Sequence, residues 1–227
     1  MKIEVLADAE AAAREAARQI AHWARTCVAA RGVFVMAVSG GKTPWQMLRA
    51  LAQEDLPWAN VHVAQVDERI APAGDTQRNF THLRKCLREQ VPSANLHPMP
   101  VEAADLELAA ARYAATLEQL AGSPAVLDLA HLGLGIDGHT ASLVPDDAVL
   151  QVTDRDVALT GVYEGHRRMT LTYPILNRCR RILWLVTGAE KAGALARLRS
   201  GERSVPAGAI ARDNAVVLAD EAAAAVR

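Results

Sequence analysis

The chain has 227 residues, with 26 acidic and 25 basic side chains for a formal net charge of −1. It is long enough to bury a core without disulfides, and it carries no overall basic field that would hold nucleic acid or an anionic membrane. No apolar run approaches the roughly 18 residues of a membrane span, and the start, MKIEVLADAE, lacks the basic and apolar regions of a secretory signal, so a cytoplasmic location is expected. Cys27, Cys86 and Cys179 are too scattered for a disulfide or zinc framework and read as reduced packing residues. No clustered Cys/His or H-E-x-x-H spacing calls for a metal, and no cofactor is expected.

In chain order, helical and strand patterns alternate. Asp8 to Arg31 has apolar positions at helical spacing, with Asp8 as N-cap and Gly32 as the glycine that follows the last turn. Val33 to Val38 is a continuous apolar run, as a strand buried on both faces requires. A loop and a second helix follow, then a strand over Val61 to Val66, a helix over Asn79 to Gln90, and a long helix over Asp105 to Ala121 ending at Gly122. Leu127 to Leu134 reads as the third buried strand. Val157 to Val162 and Arg168 to Thr172 alternate around a polar turn at Glu164 to His166 and suggest a small β-hairpin insertion. Ile182 to Val186 is a further strand leading through Gly188 into a helix, and Val216 to Leu218 a last one. No linker or repeat divides the pattern, so the expectation is a single α/β domain over 1–227, a mostly parallel sheet flanked by helices. Such sheets bind ligands at the carboxyl ends of their strands, here the segments after Val38, Val66, Leu134 and Val186.

Those segments carry the chemistry. Ser39-Gly40-Gly41-Lys42-Thr43-Pro44 follows the first buried strand, with Thr43 as N-cap and Gln46 completing a capping box. Paired glycines at a helix N-terminus make an anion cradle, although a plain tight turn has the same composition. The loop is neither a Walker loop, because Met36 stands where glycine is needed, nor a nucleophile elbow around Ser39. Asp67-Glu68-Arg69 follows the next strand; it is either a solvated loop or the place where an arginine holds a phosphate. Gly133-Leu134-Gly135-Ile136-Asp137-Gly138-His139 places an acid and an imidazole two residues apart at a strand end, and an ordinary histidine pKa near ~6.5 suits a general base. Its glycine spacing matches a dinucleotide fingerprint, but Asp137 would face the pyrophosphate and Pro145 leaves little room for the helix. His22, His62, His82, His97, His131 and His166 have no comparable company and read as structural or exposed. Arg168 and Lys191 are either surface cations or members of the same set, Lys191 occupying the fourth strand end.

Together SGGKTP (39–44), DER (67–69) with Asn79, GLGIDGHTASLVP (133–145), RMTLTYPILN (168–177), TGAEK (187–191) and Pro206-Ala207 resemble the 6-phosphogluconolactonase family over most of the chain. The departures are small: Ile70-Ala71-Pro72 through Asn79 differs from the commoner spelling, and the C-terminal tail lacks a frequent aromatic. The resemblance implies a modified Rossmann-like fold, shared with glucosamine-6-phosphate deaminases and ribose-5-phosphate isomerases. It also implies hydrolysis of a small sugar-phosphate lactone, 6-phospho-D-glucono-1,5-lactone, without metal, nucleic-acid or membrane partner, by a monomer or weak homodimer. It casts His139 as the base and Asp137 as the group that orients the site. Arg69 and Lys191, with Ser39, Gly40 and Gly41, would hold the phosphate, and Arg168 is a further candidate. Lys42, Thr43, Asp67, Asn79 and Gly138 complete the expected substrate-binding set. Which cation meets the phosphate and which the lactone oxygen stays open. Two other readings compete. A related deaminase would show tyrosine at Arg69 and glutamate at Val144, and a sugar-phosphate sensor would not need both Asp137 and His139.

Overall fold

The computed structural model describes residues 1–87 and 89–225. The first half runs β1 (Lys2–Leu6), α1 (Ala9–Arg31), β2 (Phe34–Val38), α2 (Lys42–Leu51), β3 (Val61–Gln65), β4 (Asp67–Arg69), α3 (Asn79–Leu87), β5 (Leu96–His97) and α4 (Leu106–Ala121). The second runs β6 (Leu129–Leu132), β7 (Val157–Leu159), β8 (Arg168–Leu171), α5 (Tyr173–Arg178), β9 (Ile182–Val186), α6 (Ala192–Ser200), β10 (Ala215–Asp220) and α7 (Glu221–Ala224). Seven strands form one sheet in the order β1-β10-β9-β6-β2-β3-β5, and every pairing in it is parallel. Alternation along the strands sorts their side chains between two cores. Phe34, Met36 and Val38 face α1 and α2, while Val35 and Ala37 face α4 and the second sheet. Because both faces are covered, β2 and β9 are buried at every position.

The second sheet is three-stranded and antiparallel, β4-β8-β7. The chain enters it at Val66, whose N–H still donates to Val38 in the main sheet (3.1 Å) while its carbonyl accepts from Leu171 in the small one (2.8 Å). The expected hairpin of two strands therefore gains a third, and the Asp67-Glu68-Arg69 segment is a strand rather than a loop. Asp8 and Gly32 cap α1 as expected, Gly32 with φ +79°. Three local expectations change. Thr43 is not the cap of α2: the helix begins two residues earlier than expected, at Lys42, its N-cap is Gly41, and no side chain caps it. β1 and β5 were not foreseen; both are sheet edges, one half-exposed and one only 2 residues long. The helix expected over 79–90 is seen as α3 to Leu87, and Arg88 lies outside the described residues. Among the described residues no helix is long and apolar enough to cross a membrane.

Candidate active site

The carboxyl ends of β2, β4 and β6 open on a cleft of about 570 Å³. Ser39, Gly40, Gly41, Lys42, Asp67, Arg69, Asn79, His139, Arg168 and Lys191 all line it, so the four strand-end segments do meet. Thr43 lines an adjoining recess of about 430 Å³ that shares Gly40, Gly41, Lys42 and Lys191 with the cleft. Its hydroxyl is bonded to that of Thr187 at 2.7 Å, which ties α2 to the segment after β9. With Gly41 as N-cap and no capping side chain, the first N–H groups of α2 are left to a ligand, and the helix dipole adds partial positive charge there. His131 supports this cradle from below. It is fully buried, its Nδ1 accepts from the Ser39 N–H (3.3 Å), and its carbonyl accepts from the Ser39 hydroxyl (3.0 Å).

β4 supplies the opposite wall by strand alternation. Asp67 and Arg69 face the cleft, whereas Glu68 points away and is completely buried. The Glu68 carboxylate accepts from the N–H groups of Arg69, Asn79 and Phe80, each at 2.8 Å, and from Gln65 Nε2 at 3.0 Å. It thereby caps α3 from another strand and places Asn79, with Arg78 Nε completing the charge balance at 3.1 Å. Asn79 in turn accepts from Arg69 Nη1 (3.1 Å) and donates to the Asp67 carbonyl (3.1 Å). Burial pushes the Asp67 carboxyl upward, against the Ser142 hydroxyl, which donates to it at 2.6 Å, and the Arg168 charge.

His139 stands in a loop that closes on itself: Gly135 N–H donates to the His139 carbonyl (2.8 Å) and Gly138 N–H to the Gly135 carbonyl (3.0 Å). Instead of entering a helix the loop forms a bridge between Thr140 and Leu143, which removes the dinucleotide alternative. His139 Nδ1 is 2.7 Å from Asp137 Oδ1, and the same oxygen accepts from the His139 backbone N–H at 3.1 Å. A Cβ at Gly135 would sit 2.1 Å from His139 Nδ1 and 2.5 Å from Asp137 Oδ1, so only glycine leaves room for the pair. Partial burial pushes the Asp137 carboxyl up, but the His139 backbone N–H and imidazole and the Tyr163 hydroxyl outweigh it and hold the carboxyl below its usual range. Gly138 does not line the cleft; at φ +88°, with its N–H spent inside the loop and its carbonyl accepting from Ala207 (3.0 Å), it shapes the turn.

The family model of glucosamine-6-phosphate isomerases and 6-phosphogluconolactonase matches residues 7–218. The chain belongs to that family. It is 42% identical over 181 residues to a 6-phosphogluconolactonase of Synechocystis, covering 77% of this chain and 75% of the relative. It is 36% identical over 239 aligned positions to that of Mycobacterium tuberculosis, covering 98% of this chain and 97% of the relative. The solved 6-phosphogluconolactonase of Thermotoga maritima superposes with a TM-score of 0.85 at 26% identity, covering 96% of this chain and 98% of that one.

Three residues at the site were not singled out from the sequence. Trp45 and His82 line the cleft and stack on each other, ring centroids 5.4 Å apart, one from α2 and one from α3. Tyr163 reaches Asp137 from the hairpin turn, its hydroxyl donating to Oδ2 at 3.1 Å. Each belongs to an element brought in by tertiary packing, and no spacing rule links position 163 to position 137. Trp45, adjoining SGGKTP, was the one such position that its neighbours in sequence pointed to.

Proposed function

We propose that the protein hydrolyses 6-phospho-D-glucono-1,5-lactone to 6-phospho-D-gluconate, the second step of the oxidative pentose phosphate pathway. The observation that carries this reading is His139, backed by Asp137, on the wall of a cleft that also gathers Lys42, Arg69, Arg168 and Lys191. An ionised Asp137 only accepts hydrogen bonds, so it fixes the imidazole proton on Nδ1 and leaves the Nε2 lone pair to take a proton from water. The hydroxide so formed adds to C1 of the lactone. As the tetrahedral intermediate collapses, the C1–O5 bond breaks and the imidazolium returns its proton to the ring oxygen, which becomes the free 5-hydroxyl. A lactone is an activated ester, and a positioned base worth roughly 10²–10⁴-fold together with fixed geometry meets its demands.

The phosphate belongs at the uncapped start of α2, where backbone N–H groups, Lys42 and Lys191 converge, with Arg69 held toward the cleft by Asn79. Val144, where a deaminase would need its carboxylate, is buried at 4% exposure and offers no second acid. Deaminase chemistry is thus disfavoured by a specific position. The test is to give the purified chain freshly made 6-phosphogluconolactone, unphosphorylated gluconolactone and glucosamine 6-phosphate. Lactone loss well above the spontaneous rate, strongest for the phosphorylated substrate and without ammonium release from the amino sugar, is the expected result. Ammonium release without lactone acceleration would transfer the chain to the deaminase branch.

A further inference from the structure

We propose that Tyr163 is a positioning residue of the hydrolytic site, its hydroxyl orienting the Asp137–His139 pair while its ring seats the Arg168 guanidinium. The proposal rests on the lactonase reading and extends it to a residue outside the sequence motifs. Four contacts converge on this one side chain. The hydroxyl donates to Asp137 Oδ2 at 3.1 Å and stands 3.4 Å from His139 Nδ1. The ring meets the His139 imidazole edge to face, centroids 5.4 Å apart at 66°. Arg168 Cζ lies 5.0 Å from the ring centroid, and Arg168 Nη2 donates to the Tyr163 carbonyl at 3.4 Å.

The backbone that presents Tyr163 is well defined. Tyr163 and His166 exchange both hydrogen bonds, at 3.0 and 3.2 Å, around Glu164 and Gly165 at φ +48° and +81°. Positive φ at both central residues is a type I′ hairpin turn, which matches strand twist and fixes the side chain before it. Asp137 thus has one oxygen on the imidazole and the other on the phenol, which holds the carboxylate plane, and with it the imidazole, in one orientation. The cation–π contact ties this geometry to Arg168, whose Nη2 also meets the exposed Glu164 carboxylate at 3.1 Å. The other charged groups that line the cleft with His139 are Lys42, Arg69, Lys191 and Asp67, none of which Tyr163→Phe alters.

Tyr163→Phe keeps the ring and removes only the donor. Asp137 then carries more uncompensated charge toward the imidazolium, so His139 holds its proton to higher pH. The expected result is a roughly tenfold lower kcat at neutral pH with KM within about twofold, an acid limb of the kcat profile moved upward, and the same upward movement in an NMR titration of the His139 ring. Val162→Ala, next in the chain at an exposed position, is expected to leave both profiles as they were. An unmoved or downward-moved His139 titration in Tyr163→Phe would overturn the proposal. The NMR titration needs no turnover, so it decides the role of Tyr163 even if wild type fails to hydrolyse the lactone, which would instead remove the reading beneath it.

Discussion

Arg168 has 4% of its side chain exposed and leaves Nε without a hydrogen-bond partner among the described residues. Its Nη2 already meets Glu164, but the orphaned Nε is a buried donor that costs stability until an acceptor reaches it. Its neighbours on the cleft wall divide the work differently. Arg69 is held by Asn79 and the Gln77 carbonyl (2.9 Å), and Lys191 stands where the cleft and the recess beside α2 join. Each charge-assisted hydrogen bond to phosphate is worth about 1.5–3 kcal/mol. Arg69→Gln and Lys191→Gln are therefore expected to raise KM about ten- to a hundredfold with kcat nearly unchanged, read from steady-state lactone hydrolysis. A fall in kcat at constant KM would mean that these cations act on the reacting carbonyl instead of the phosphate.

At the scale of elements, β4 shows what a strand three residues long can do. Alternation sends Asp67 and Arg69 into the cleft and Glu68 into the core, where its carboxylate collects three backbone N–H groups and Gln65. Glu68→Gln would set an amide NH₂ against those donors and leave Arg78 without its buried counter-charge, so a loss of about 3–5 kcal/mol is expected in urea unfolding. The sequence marks this segment only as three charges after an apolar run; that its middle member turns inward depends on pairing with β8, a partner about a hundred residues away. Elements with local signals were legible: Asp8 and Gly32 bound α1, and the continuous apolar runs of β2 and β9 matched strands buried on both faces. Thr43 misled because a capping box in sequence competes with a glycine turn, and here its hydroxyl bonds Thr187 in place of its own helix.

For the whole molecule, topology placed the site. Parallel strands with covered faces put their carboxyl ends together, which is why Ser39, Arg69, His139 and Lys191, far apart in sequence, line one cleft. Tyr163 and His82 were illegible because packing of the hairpin and of α3 brings one to Asp137 and the other to the cleft, whereas Trp45 adjoins SGGKTP. Burial of the sheet also has a consequence for pH. Desolvation pushes the His131 pKa from 6.5 down to about 3. Above pH 6.5 both folded and unfolded chains hold the imidazole neutral; below it the unfolded chain takes a proton that the native state refuses. Stability is therefore present at neutral pH and lost as pH falls from about 6.5 toward 3, by up to about 1.4 kcal/mol per unit. Urea unfolding of wild type and His131→Gln at pH 7 and pH 5 isolates this contribution, and the variant is expected to lose less stability between the two.

The most direct test of the account is the rate of 6-phosphogluconate formation from fresh 6-phosphogluconolactone, corrected for spontaneous hydrolysis, with wild type and His139→Ala side by side. The geometry of the Asp137–His139 pair leads to acceleration by wild type and a roughly 10²–10⁴-fold lower kcat in the variant, with KM little changed. A His139→Ala chain that turns over as fast as wild type would contradict the assignment of the base, and a wild-type chain that does not accelerate hydrolysis would contradict the function itself.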